Sequence, residues 1–208
     1  MKKQLQYITQ NHPTKSHETL CLEFCEAGGK WVQLRMKNVS DSVLLATAKA
    51  CRKITTDYGA TLIINDRLDI ALKVNADGVH LGQEDLSTAL ARENTPKDFI
   101  IGGTANTCVE VIHHYNNGVD YVGVGPFRYT KTKKQLSPVL GIHGYRSILV
   151  DLKKAKIEIP LVAIGGIVTT DFSDLHNINI HSIAVSGLIT LSENKQKSIT
   201  AFNNVFKK

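Results

Sequence analysis

Eight short apolar runs, each separated from the next by a stretch of helical character, constrain this chain more than any other feature. They are LQYIT (5–9), WVQLR (31–35), TLIIN (61–65), GVHLG (78–82), FIIGGTA (99–105), YVGVG (121–125), PLVAIGG (160–166) and SIAVSG (182–187). Most are continuous rather than alternating, the pattern of strands covered on both faces in a parallel sheet. Between them, residues 40–59 open on Ser40 or Asp41 as N-cap and stop at Gly59, and residues 106–118 open on Asn106 or Thr107 and stop at Gly118. TTDFSDLHN and SENKQKSITAFNNVFKK supply the last two helical segments. Strand–helix alternation repeated eight times predicts an α/β fold, a closed (β/α)8 TIM barrel, with residues 1–208 forming one domain. A doubly wound open sheet is the competing architecture.

Bulk properties narrow the function less. The chain has 208 residues, 42% hydrophobic and 21% charged, ordinary for a soluble globular protein. No apolar run approaches the roughly 18 residues of a membrane span, and the two lysines near the start lack an apolar segment behind them. The expectation is a cytoplasmic protein with no membrane partner. A net charge of +6 favours anionic partners without identifying them. Cys21, Cys25, Cys51 and Cys108 form no CxxC pair and read as reduced packing residues.

In such a barrel, chemistry belongs at the carboxyl ends of the strands. In WVQLRMK, Trp31, Gln33, Arg35 and Lys37 share one face if the chain stays extended, which carries Arg35 and Lys37 to the barrel mouth. The competing reading is a structural ion pair with an acid such as Asp66. The third run ends in Asn65, Asp66 and Arg67, and the fourth leads into His80, Gln83, Glu84 and Asp85. Adjacent strands lie about 4.8 Å apart, so Asp66 and a carboxylate from the next loop can share a cation. A Mg2+ ion takes one or two protein carboxylates and leaves its other positions to water and phosphate oxygens. Against this, Asp66 suits a helix N-cap, and a lone histidine such as His80 is more often packing than functional. Gly102 and Gly103 allow close approach, and Thr104 presents a hydroxyl.

After the sixth run, residues 127–141 contain no regular element, a length that in a compact domain marks a functional or disordered loop. There Thr130 and Thr132 alternate with Lys131 and Lys133, a mixture of hydroxyl and ammonium groups suited to an oxyanion. Gly165–Gly166 and Ser186–Gly187 end the seventh and eighth runs, where (β/α)8 enzymes often hold a phosphate. Two anion sites at one mouth suit an enzyme that joins two phosphorylated small molecules.

The ordered set QLRMK, LIINDRLDIAL, ADGVHLGQEDL, DYVGVGPF, TKTKK and IPLVAIGGI resembles the thiamine-phosphate synthase family across nearly the whole chain. INDR, HLGQED and TKTKK in this order are specific to it; IGG is shared by many phosphate-binding barrels. The resemblance implies a (β/α)8 barrel that joins 4-amino-5-hydroxymethyl-2-methylpyrimidine diphosphate to a thiazole phosphate, carboxylated or not, and releases diphosphate. It implies Mg2+ as cofactor, bound through Asp66 and Asp85. Gln33, Arg35, Lys37, Asn65, His80, Thr104 and Lys133 match the pyrimidine diphosphate site. Thr130, Thr132, Gly165, Gly166, Val185 and Ser186 match the thiazole phosphate site. Lys133, Arg35 and Thr104 are the catalytic candidates, in a dissociative reaction where diphosphate departs before the thiazole nitrogen attacks.

Several positions depart from the family pattern. Met36 stands where a glutamate is usual, on the face opposite Arg35. Thr104 and Asn106 replace the usual serine and histidine. Arg128 and Tyr129 replace a segment that usually carries proline, and are expected to make the loop more cationic and more mobile. The nearest rival, a thiazole tautomerase of the same fold, is expected to lack the aspartate pair and the late lysine. A nucleic-acid binder is disfavoured, because the basic residues are dispersed without interleaved aromatics. The partners are therefore phosphorylated small molecules and not nucleic acid, and a homodimer is an assembly open to such a chain.

Overall fold

The computed structural model describes residues 1–129 and 138–207. Eight parallel strands close into one barrel in chain order. They are β1 (Gln6–Ile8), β2 (Trp31–Leu34), β3 (Thr61–Asn65), β4 (Gly78–Leu81), β5 (Ile100–Ala105), β6 (Tyr121–Val124), β7 (Leu161–Ile164) and β8 (Ser182–Val185). The outer layer holds α1 (His17–Glu26), α2 (Asp41–Asp57), α3 (Leu68–Lys73), α4 (Thr88–Glu93), α5 (Cys108–Asn116), α6 (Gly141–Lys154), α7 (Phe172–Asn177), α8 (Gly187–Thr190) and α9 (Lys195–Phe206). Each expected strand is present, though most are a residue or two shorter than the apolar run that encodes them. The apolar signal continues into residues that already turn away from the sheet. The expected eight helical segments become nine α-helices among the described residues, because α8 follows the eighth strand directly and α9 closes the ring.

The caps explain where the long helices start. Ser40 accepts a hydrogen bond from the Val43 N–H and Thr107 from the Glu110 N–H, resolving both alternatives left by the sequence. At Thr107 the Glu110 carboxylate accepts in return from the backbone of Asn106 and Thr107, completing a capping box. The four cysteines are free; Cys21, Cys25 and Cys51 are buried and Cys108 half-buried.

Two cores result from the strand alternation. Val32, Leu34, Leu62, Ile64, Val79 and Leu81 point outward into the layer beneath the helices. Ile8, Trp31, Ile63, Tyr121, Val162 and Ala184 fill the barrel interior. Among the described residues no helix is long and apolar enough to cross a membrane.

Candidate active site

The alternation expected along β2 is present. Trp31 and Gln33 are buried inside the barrel, while Met36 packs against the outer core. The strand ends at Leu34, yet Lys37 still reaches the next strand end and forms an ion pair with Asp66. The ion pair weighed against a substrate role therefore exists, with Lys37 rather than Arg35 as its cation. Among the described residues, the side chains of Arg35 and Asn65 have no hydrogen-bond or ion-pair partner. Arg35 is positioned through its backbone N–H, which donates to Thr9 Oγ1 at 3.0 Å.

Asp66 is not a helix N-cap; Arg67 occupies that position in α3 and caps with no side-chain hydrogen bond. Asp66 has φ 66°, a left-handed conformation that aspartate tolerates better than most residues. Its N–H donates to His80 O at 2.8 Å, which ties the end of β3 to β4. The neighbouring Arg67 is engaged outside the site, with Asp41 and Asp69.

Asp85 folds back over its own loop and accepts from the Gly82 N–H at 2.7 Å. A Cβ at Gly82 would lie 2.9 Å from Asp85 Oδ2, so the absence of a side chain there allows the fold-back. Burial, and then the facing Asp66 carboxyl, push the Asp85 carboxyl above the ordinary aspartate range. Glu84 is exposed, so Asp85 is the acid of that pair turned toward Asp66. Among the described residues no group of three or more His, Cys, Asp or Glu side chains gathers as a metal site. The donor set is a facing carboxylate pair, which fits an ion that fills its remaining positions with water and phosphate oxygens.

Below this rim a polar chain crosses the barrel. Gln33 Nε2 donates to Gln6 Oε1 at 3.5 Å, and Gln6 Nε2 donates to the Tyr121 hydroxyl at 3.2 Å. That hydroxyl lies 3.0 Å from His80 Nδ1, and His80 Nε2 lies 2.9 Å from Thr104 Oγ1. His80 is thus a buried packing histidine in its stacking on Tyr121 and a polar link to Thr104 at once. Gln6 and Tyr121 escaped the sequence reading because each sits in an otherwise apolar run.

The glycines after β7 have a neighbour to accommodate. Gly165 and Gly166 have φ 99° and 67°, and the start of the β6 loop packs directly on them. Phe127 N donates to Ile164 O at 2.8 Å and Arg128 N to Gly165 O at 3.0 Å. Arg128 corrects an expectation: its guanidinium is clamped on Asp171 at 2.6 and 2.9 Å and donates to Gly166 O, so it anchors the loop start rather than loosening it. Asn106 also ties in, donating to Gly125 O. Ser186 Oγ donates to Gln10 Oε1 at 2.8 Å, and Val185 is buried at the end of β8. Thr130, Thr132 and Lys133 lie outside the described residues.

The structure therefore gathers Lys37, Asp66 and Asp85 in one cluster and Gln33, His80 and Thr104 in one network. Gly165, Gly166 and Ser186 end the seventh and eighth strands at the same carboxyl face of the barrel.

Known proteins are similar to this chain in sequence and in fold. A family model described as thiamine monophosphate synthase matches residues 5–189. A thiamine-phosphate synthase of Phocaeicola vulgatus is 47% identical over 186 residues, covering 89% of each chain. One of Flavobacterium johnsoniae is 43% identical over 203 residues, covering 98% of this chain and 96% of its own. A solved thiamine phosphate pyrophosphorylase from Pyrococcus furiosus superposes with a TM-score of 0.84 at 29% identity, covering 99% of this chain and 96% of that one. With a family model spanning most of its length and full-length relatives this similar, the chain belongs to the thiamine monophosphate synthase family of transferases.

Proposed function

We propose that the protein joins 4-amino-5-hydroxymethyl-2-methylpyrimidine diphosphate to a thiazole phosphate, forming thiamine monophosphate and diphosphate. The observation that carries this reading is the Lys37–Asp66–Asp85 cluster at the ends of β2 to β4 in a member of this family. Two carboxylates and a cluster of cations suit a diphosphate bound with a divalent ion. Asp66 and Asp85 would hold Mg2+, which when bound supplies positive charge against the diphosphate oxygens. Arg35, whose side chain has no protein partner among the described residues, adds a guanidinium suited to phosphate oxygens. Lys37 exchanges its carboxylate for substrate or keeps both. Gln33, Asn65, His80 and Thr104 face the pyrimidine, and Lys133 meets the departing diphosphate. Thr130, Thr132, Gly165, Gly166, Val185 and Ser186 receive the thiazole phosphate.

The catalytic demand is to stabilise negative charge on the leaving group while the pyrimidine methylene carbon becomes cationic. Fixed positive groups do that without a general base or nucleophile. The C–O bond to diphosphate breaks first, and the thiazole nitrogen then forms the new C–N bond. We place this reaction in the cytoplasm, with both substrates as free metabolites.

The test is to incubate the purified protein with both phosphorylated halves and Mg2+ and to quantify thiamine phosphate and diphosphate. Equimolar release of the two, abolished by EDTA and restored by Mg2+, is the expected result. Isomerised thiazole phosphate without any thiamine phosphate would instead identify a tautomerase. Lys133→Ala is expected to lower turnover far more than thiazole phosphate affinity; equal losses would contradict its leaving-group role.

A further inference from the structure

We propose that Tyr121 is a positioning residue that fixes His80 as its Nε2–H tautomer and so makes the Thr104 hydroxyl a hydrogen-bond donor at the barrel mouth. The geometry begins with a gap. His80, Gly102 and Tyr121 stand in one row across β4, β5 and β6, His80 opposite Gly102 and Gly102 opposite Tyr121. Two strand spacings separate the aromatic residues, roughly 9–10 Å of sheet. Their rings nevertheless stack with centroids 5.5 Å apart and planes 29° apart, because Gly102 contributes no side chain between them. A Cβ on Gly102 would lie 2.3 Å from Tyr121 Cζ and 2.5 Å from His80 Nδ1.

The protons follow from counting donors and acceptors. Gln6 Oε1 accepts from Gln33, so Gln6 presents its amide N–H to the Tyr121 hydroxyl. That hydroxyl is fully buried and carries one proton. His80 Nδ1, 3.0 Å away, is the acceptor for it. The reverse arrangement, with Nδ1–H donating to the phenol, leaves the buried phenol proton without a protein acceptor among the described residues. A neutral imidazole with Nδ1 accepting carries its hydrogen on Nε2. Nε2–H then donates to Thr104 Oγ1 at 2.9 Å, and the threonine proton turns away from the ring. Thr104 is half-buried at the end of β5, so its proton faces the mouth rather than the core. In a His80–Thr104 pair either atom can be the donor; the phenol proton on Nδ1 favours the arrangement in which Nε2–H donates.

The consequence for turnover rests on the proposed function, whereas the proton arrangement does not, so the test reads both. Histidine side-chain 15N spectra are recorded at a pH where the ring is neutral, with His80 assigned by the signals lost in His80→Gln. Wild type should show a pyridine-type Nδ1 and a pyrrole-type Nε2 for His80. In Tyr121→Phe, which keeps the ring but not the hydroxyl, the two shifts should move toward each other as the tautomers mix. The same variant should lose about tenfold in kcat with KM for the thiazole phosphate unchanged, the scale of one lost polar contact. A packing role alone would lower the melting temperature and leave the His80 shifts in place. A pyrrole-type Nδ1 in wild type, or an unchanged His80 spectrum in Tyr121→Phe, overturns the proposal. If the variant does not fold, the wild-type spectrum still decides the tautomer. Failure of the wild type to form thiamine phosphate would defeat the functional reading without touching the spectra.

Discussion

Lys37 and Asp66 form an ion pair across the open ends of β2 and β3, and Asp66 at the same time faces Asp85. One ammonium group thus serves two carboxylates. Without a metal, ionising Asp85 costs more than ionising an ordinary aspartate, since burial and Asp66 raise its carboxyl above the ordinary range. A raised folded-state pKa contributes stability below the unfolded value and loses it as pH rises through the folded one. The metal-free protein carries that penalty once Asp85 is ionised. Mg2+ alone should therefore raise the melting temperature, by about 1.4 kcal/mol of stability at tenfold excess over its Kd. Asp85→Asn should abolish this shift and, in metal-free neutral buffer, melt above wild type. Thermal unfolding of both proteins with and without Mg2+ checks this; an equal Mg2+ response in the two would place the ion elsewhere.

Gly165→Ala should be more damaging than Gly166→Ala. Both positions have positive φ, which disfavours any side chain by about 1–2 kcal/mol. The neighbours differ. A Cβ at Gly165 would lie 2.7 Å from Pro126 Cα, which is backbone. A Cβ at Gly166 would lie 2.4 Å from Arg128 Cγ, part of a side chain that can swing away at the cost of its Asp171 pair. Urea unfolding should rank the two variants in that order. Thiazole phosphate affinity should fall in both, because the loop start and the glycines move together.

The barrel was legible because strands buried on both faces must be apolar throughout, and eight such runs separated by capped helices admit few topologies. The ends were less legible. Gly82, Gly125 and Gly165–Gly166 extend the apolar runs in sequence but already serve turns in space. The eighth run reads on to Gly187 and leaves residues 188–190 unassigned, although Gly187–Thr190 folds as α8. Asp66, Asp85 and Lys37 were nameable from motif order and an ion pair to Asp66 was foreseeable, while the choice of Lys37 over Arg35 as its cation needed the structure. Tyr121 was out of reach, since its relation to His80 runs over a glycine on the strand between. Arg128 read as added charge because its partner, Asp171, is remote in sequence.

Gly102→Ala tests the crowding of that interior row. Unlike a flexible side chain, the Tyr121 and His80 rings are buried and held by hydrogen bonds at both ends. The added methyl should cost about 3 kcal/mol, at the upper end for overpacked cores. Calorimetry should show this loss, and the drop should shrink in the Gly102→Ala/Tyr121→Leu double variant, where the ring is gone. Additive losses would mean that the strain lies elsewhere.

Glu23 closes the outer ring of helices, and its charge should be readable in the acid limb of the stability curve. It lies in α1, with Lys15 Nζ at 2.6 Å on one oxygen and Lys195 Nζ, at the start of α9, at 2.8 Å on the other. Lys195 is 8% exposed, so it depends on this anion more than a surface lysine would. The hydrogen bonds from Lys15 and then Lys195 hold the Glu23 carboxyl below the ordinary glutamate range. A depressed folded-state pKa gives stability that is present above the unfolded value and lost as pH falls through the folded one. Glu23→Gln should therefore cost about 2 kcal/mol near neutral pH, between the worth of an exposed pair and that of a buried one. Its unfolding curve should converge on that of wild type as pH falls through the folded-state pKa of Glu23, with the distance between the two curves shrinking steadily across the acid range. A constant gap at every pH would assign the loss to packing of the amide rather than to the ion pairs.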